Sequence, residues 1–145
     1  MKKTSKRALS LLLTLTLMFS AVMMFPSTAS AASSVSSPVT NGYVFSGQVY
    51  FNSGNTSATA KSNFSVIAGI TTTAKIKYTY RDSEGVEKEV TPSSSQSNAS
   101  TSVPATVYRD SAHTLSYTPK YAYGVHNLSY NGYKRILNTS ITVNG

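Results

Sequence analysis

Apolar and polar side chains alternate from Tyr43 onward, at the period of two that an extended strand requires. In the first such segment Phe45, Val49 and Phe51 share one face, and polar residues between them occupy the other. No segment after residue 31 has the 3.6-residue period of an amphipathic helix. The chain is therefore predicted to be an all-β protein.

The longest alternating segment covers residues 58–80, where the even positions are apolar or small. One straight strand of that length would span about 75 Å, more than twice the width of a small domain. We therefore predict that this segment folds back, with its corner at residues 69–73. Turn-forming residues at 82–85 predict a connection to a strand at 86–90, and the polar segment 91–101 is predicted to be a loop.

The pair Asn131-Gly132 between two apolar runs predicts a two-residue hairpin, because a type I′ turn requires positive φ at both central positions. The strands that flank this turn are expected to pair Tyr130 with Tyr133, Leu128 with Arg135, and His126 with Leu137.

Seven to nine short strands with turns every eight to twelve residues are typical of sandwiches and barrels. We predict a small antiparallel β-sandwich with an immunoglobulin-like arrangement of strands, because a loop at 91–101 would be long enough to cross between two sheets. A small β-barrel is the alternative.

The N-terminus has the features of a secretory signal peptide: four cationic residues, an apolar stretch from Ala8 to Phe25, and small residues at Ala29 and Ala31. A membrane anchor is the competing interpretation, since a spanning helix needs roughly 20 apolar residues. We expect cleavage after Ala31, a flexible leader at 32–41 and one folded domain at 42–145. The protein is then secreted and extracellular, and touches the membrane only through its signal.

The composition also restricts the compartment and the partners. The chain has no cysteine, so its core must hold the fold without disulfides, which favours a bacterial exporter over an animal one. Loss of residues 1–31 removes four of the 13 Lys and Arg and none of the five acids, so the net charge falls from +8 to +4. That charge is too small and too dispersed for a nucleic-acid partner.

Few residues are available for catalysis or metal binding. There are two histidines, His113 and His126, and four of the five acids lie in one charged hairpin at 82–89. Asp110 and His113 have a spacing at which a turn would let the carboxylate orient the imidazole, but no G-x-S-x-G elbow exposes a serine. We therefore predict a protein that is not an enzyme and has neither a metal site nor a cofactor.

Tyrosine is the one residue type whose distribution indicates binding. All ten tyrosines follow residue 31, and five of them lie between residues 117 and 133. Tyrosine rings stack on sugars or apolar groups while their hydroxyls take hydrogen bonds. The candidate binding residues are Tyr121, Tyr123, His126, Tyr130, Tyr133, Lys134 and Arg135. Cross-strand packing is the competing explanation, because facing aromatic pairs stabilise a sheet by about 0.2–1 kcal/mol each.

The sequence thus favours a secreted binding protein that acts at the cell surface or in the medium, with a cell-wall glycan or another surface protein as its partner. Three other functions stay open: an antimicrobial or membrane-active protein, a small hydrolase or an inhibitor of one, and a subunit of an extracellular matrix whose strands pair edge to edge.

Overall fold

The computed structural model describes residues 32–143, so the expected signal peptide lies outside the described residues. The seven strands are β1 (Ala32–Pro38), β2 (Val44–Phe51), β3 (Ser57–Arg81), β4 (Glu87–Val90), β5 (Ser93–Tyr108), β6 (Thr118–Tyr130) and β7 (Tyr133–Thr142). The helical elements of the described part are two 3₁₀ turns of three residues each. The all-β prediction is confirmed, and so is the absence of an amphipathic helix from the described residues.

All pairings in the sheet are antiparallel, and its order is β1-β2-β3-β6-β7. The first half of β3 pairs with β2 and the second half with β6, while β4 and β5 pair with the other edge of β3. The sheet therefore curls over one interior and nearly closes into a barrel. At the gap between β7 and β1, Arg135 donates a hydrogen bond to the hydroxyl of Ser37 at 2.6 Å.

The predicted corner at residues 69–73 is wrong, because β3 continues as one strand of 25 residues. The change of direction has another origin. The ladder between β3 and β5 is irregular between Asn63 and Ala68, and the partner on the other edge changes from β2 to β6 over the same interval. A bulge of this kind bends and twists a strand without breaking it. The chain thus crosses from one half of the sheet to the other without a loop.

Two further segments differ from the sequence prediction. Residues 91–101 were expected to form a loop, but Ser93 onward is the first half of β5. Its side chains stay exposed, because backbone pairing to β3 satisfies the strand without burial. Residues 32–38, part of the segment predicted to be a flexible leader, form β1 and pair with β2, and Val35 packs against the core.

The interior follows the alternation read from the sequence. Phe45, Val49 and Phe51 are buried, as are most even positions of β3. The buried apolar residues form two clusters, one around Ile76 and the other around Ile70.

The hairpin between β6 and β7 is confirmed in detail. Asn131 and Gly132 have φ values of 46° and 78°. All three predicted pairs are present: Tyr130 with Tyr133, Leu128 with Arg135, and His126 with Leu137.

Candidate functional site

The seven candidate binding residues do not form one surface. The structure places Tyr121, Tyr123 and Lys134 on the outer face of the sheet, His126 in the interior, Tyr130 and Tyr133 at one end of the curled sheet, and Arg135 at the gap between β7 and β1. Alternation along β6 explains the division, because odd residues point outward and even residues inward.

The outer-face tyrosines lie beside two lysines of β3. Lys75 pairs with Tyr123 and Lys77 with Tyr121 across the β3–β6 ladder. Each lysine lies over the ring of its partner, with its Nζ atom 5.2 Å from the centroid of Tyr123 and 5.6 Å from that of Tyr121, respectively. The two ring centroids are 5.9 Å apart. We call these four residues the tyrosine–lysine face.

One of the two lysines is paired with an acid. Nζ of Lys77 lies 2.6 Å from Oε1 of Glu89 on β4. This hydrogen bond to Glu89 raises the pKa of Lys77 above its usual value, so the ammonium stays charged. Lys75 has no salt bridge among the described residues, which leaves its charge free for a ligand.

Small polar side chains border the tyrosine–lysine face. On one side, hydroxyl pairs join β3 to β5, Thr71 to Ser97 at 2.8 Å and Thr73 to Ser95 at 2.6 Å. Further along the same face a shallow groove of about 190 Å³ includes Lys134 in its lining. The surface therefore offers rings, cations and hydroxyls within one sheet face.

His126 is fully buried, so it contributes nothing to the surface. Its Nδ1 atom lies 2.8 Å from Oγ of Ser62, and its Nε2 atom lies 2.9 Å from Oγ1 of Thr139. The donor in each of these hydrogen bonds can be assigned from Thr72. Its hydroxyl donates its one hydrogen to the carbonyl of Val103, so it accepts a hydrogen bond from Ser62 at 2.6 Å. Nδ1 therefore donates to Ser62, and Nε2 accepts from Thr139.

This arrangement holds the imidazole in its neutral form. Burial lowers the pKa of His126 from 6.5 to about 4. A Ser–His contact at 2.8 Å has the geometry of a nucleophile and its base, but the third partner is a hydroxyl and the ring is closed to solvent. The network is therefore a buried polar belt, formed by Ser62, Thr72, His126 and Thr139, that lies between residues of the two apolar clusters.

Tyr130 and Tyr133 pack against the second apolar cluster. Tyr130 makes edge-on contacts with Phe64 at 5.3 Å and with Tyr43 at 5.9 Å between centroids. These distances are those of aromatic pairs that stabilise a core. Packing thus explains the tyrosines nearest to the turn.

An open cleft of about 550 Å³ lies elsewhere, beside His113. The hydroxyl of Tyr78 forms a hydrogen bond with Nδ1 of His113 at 2.9 Å and also accepts from the amide of Asp110 at 3.2 Å. The ring of Tyr80 stacks on His113 at 3.6 Å. The Asp110 carboxylate accepts from the amide of Ala112 rather than orienting the imidazole. His113 is therefore held by aromatic residues.

Within residues 32–143, no three His, Asp or Glu side chains converge in a way that would hold a metal ion. No helix of that part of the chain has the length and apolar character needed to cross a membrane.

Comparisons with protein-family models, with curated proteins and with solved structures gave no match for this chain.

The sequence predicts that the two lysines of the site are exposed, but it does not predict which residues lie beside them. Lys75 and Lys77 alternate with buried residues, which predicts that they face solvent. Their placement beside Tyr123 and Tyr121 depends on the pairing of β3 with β6, strands separated by more than thirty residues. No local pattern encodes such a pairing.

Proposed function

We propose that this chain is a secreted bacterial protein without enzymatic activity, which binds an anionic glycan of the cell wall through the tyrosine–lysine face. The observation that carries the proposal is the placement of Tyr121 and Tyr123 side by side, with Lys75 and Lys77 against their rings.

Each part of this face suits such a polymer. Tyrosine rings present apolar surfaces on which sugars stack, and the lysines supply the positive charge that attracts phosphate or carboxylate groups. The hydroxyl rows of β3 and β5 add hydrogen-bonding groups at the border of the face. An open outer sheet face suits a long chain better than a small molecule, which needs an enclosing pocket.

The test uses the protein as a bacterial host exports it. We expect it to sediment with intact cell walls, to be released by salt, and to be retained far less by walls stripped of their phosphate-containing polymers. The double variants Y121A/Y123A and K75Q/K77Q should each weaken retention about tenfold. Matched controls are Tyr50→Ala on β2 and Lys61→Gln on the first half of β3, which lie outside the face.

Equal retention of Y121A/Y123A and the Tyr50→Ala control would contradict the proposal. A protein partner at the same face would instead give retention that survives digestion of the glycan but is lost after protease treatment of the walls. Release of dye from anionic vesicles, with no retention on walls, would favour the membrane-active function.

A further inference from the structure

Strand β5 has one paired edge and one free edge. Within residues 32–143 it pairs only with β3, although it is 16 residues long. The strands at the two ends of the main sheet order, β1 and β7, face each other across the gap that Arg135 and Ser37 bridge. Strand β5 is therefore the long open edge of the described sheet.

One backbone hydrogen bond establishes which groups in the first half of β5 point to the free edge. The amide of Ile76 donates to the carbonyl of Pro92 at 3.2 Å, in the same register as the ladder that follows. Hydrogen-bonded and non-hydrogen-bonded pairs alternate in an antiparallel ladder. Residues 94, 96 and 98 consequently bond to β3. The amides and carbonyls that point away from the sheet belong to Ser93, Ser95, Ser97 and Ala99.

The second half of this edge is interrupted at Ser102 and Pro104. The hydroxyl of Ser100 accepts from the amide of Ser102 at 3.2 Å and donates to its carbonyl at 3.0 Å, so both outward groups of Ser102 are satisfied. Pro104 has no amide hydrogen. The hydrogen bond from the Arg109 amide to the Thr56 carbonyl sets the alternation in this half of the ladder, and that alternation places the nitrogen of Pro104 on the outward side. The longest uninterrupted run of outward amides and carbonyls on this edge is thus residues 93–99.

We propose that residues 93–99 are a self-association site, at which two copies of this chain pair their β5 strands antiparallel to form one continuous sheet. Edge strands that stay monomeric usually carry lysine, proline or inward charges. Between Glu89 and Arg109 this chain has no Asp, Glu, Lys, Arg or His, and residues 93–103 contain no proline.

Charge favours a second copy as the occupant. A pairing centred near residue 96 is isologous, so each copy presents the same surface to the other. Strand β4 continues the line of β5 in the same register along β3. When two copies pair in this way, the charged residues of β4, 87–89, lie opposite the uncharged residues 103–105 of the other copy. Like charges therefore do not meet, and the two tyrosine–lysine faces lie on the same side of the joined sheet.

A proline at position 99 tests this site without removing a hydrogen bond between β5 and β3. The amide of Ala99 points to the free edge, and its side chain is exposed and makes no hydrogen bond. The exported wild-type chain should shift from monomer to dimer in sedimentation velocity as its concentration rises. Ala99→Pro should remain a monomer with an unchanged melting temperature, whereas Ala99→Ser, which keeps the amide hydrogen, should dimerise like the wild type.

Amide hydrogen exchange on the wild-type chain provides a second test, should the proline variant fail to fold. Exchange at Ser93, Ser95, Ser97 and Ala99 should slow as the concentration rises, and exchange at residues 94, 96 and 98 should be slow throughout. A wild-type chain that is monomeric at every concentration, a dimer that survives Ala99→Pro, or exchange at these four amides that is independent of concentration would overturn the proposal.

Discussion

The imidazole ring of His126 lies against the backbone of Gly47, so closely that a Cβ atom at position 47 would stand 2.3 Å from its Cδ2 atom. Gly47 is on β2 and His126 on β6, and these strands pair with different parts of β3. The contact therefore joins the two halves of the curled sheet across the interior. Gly124 leaves room in the same way, since a Cβ atom there would lie 2.8 Å from Nε2 of His126.

Gly47→Ala should destabilise the protein by about 3 kcal/mol, because the added methyl group overlaps a fully buried ring. Urea unfolding measures the loss. In a G47A/H126A double variant the methyl group enters the space that the ring vacates. The loss of stability in the double variant should therefore be smaller than the sum of the losses in the two single variants. Strict additivity would mean that the ring and the glycine do not contact each other in solution.

The stability of the chain should fall between pH 6.5 and about pH 4 because of His126. Its pKa is about 4 in the folded state, against about 6.5 when unfolded, so the unfolded chain binds a proton first as the pH falls. The stabilisation is complete above pH 6.5 and is lost as the pH drops towards 4, by on the order of 3 kcal/mol. Urea unfolding at pH 7 and pH 4.5 should give a smaller difference for His126→Gln than for the wild type. Equal differences would contradict the assignment.

Two tyrosines of β6 should respond oppositely to truncation. Tyr130→Ala removes a ring that contacts Phe64 and Tyr43, and should cost about 2 kcal/mol of stability while leaving wall binding intact. Tyr123→Ala on the outer face should cost less than about 1 kcal/mol but weaken binding. Thermal melts and wall sedimentation of the two variants, measured in parallel, separate packing from binding. The reverse pattern would assign binding to the end of the sheet.

Glu89→Gln should strengthen binding to an anionic polymer, since Glu89 occupies the ammonium of Lys77 at 2.6 Å. The released cation should also make retention on walls more sensitive to salt. Glu87→Gln is the matched control, because it changes the net charge equally without a contact to Lys77. If both variants gain equally, overall charge rather than the tyrosine–lysine face controls retention.

The parts of the fold that local chemistry encodes were predictable. The interior of β2 and β3 follows from alternation, and the Asn131-Gly132 turn fixed the register of the last hairpin. The inward position of His126 was also encoded, because it has the same parity along β6 as the buried Ala122 and Leu128. His126 is among the candidate binding residues because it is polar, although two hydroxyl partners form hydrogen bonds with its ring nitrogens in the interior.

The remaining features depend on distant residues. Nothing in the composition of 91–101 indicates a strand, because that segment is held by the backbone of β3 rather than by burial. No glycine or proline between Asn63 and Ala68 predicts the bend there. The tyrosine–lysine face likewise requires knowledge of which strands pair.

Strand β3 pairs with β2, β4, β5 and β6 along its length. A single peptide segment is thus the common neighbour of four others, and any event that detaches it exposes hydrogen-bonding groups on all of them at once. Melting is consequently expected to be all-or-none, with no fragment of the described chain retaining order after a proteolytic nick near the middle of this strand.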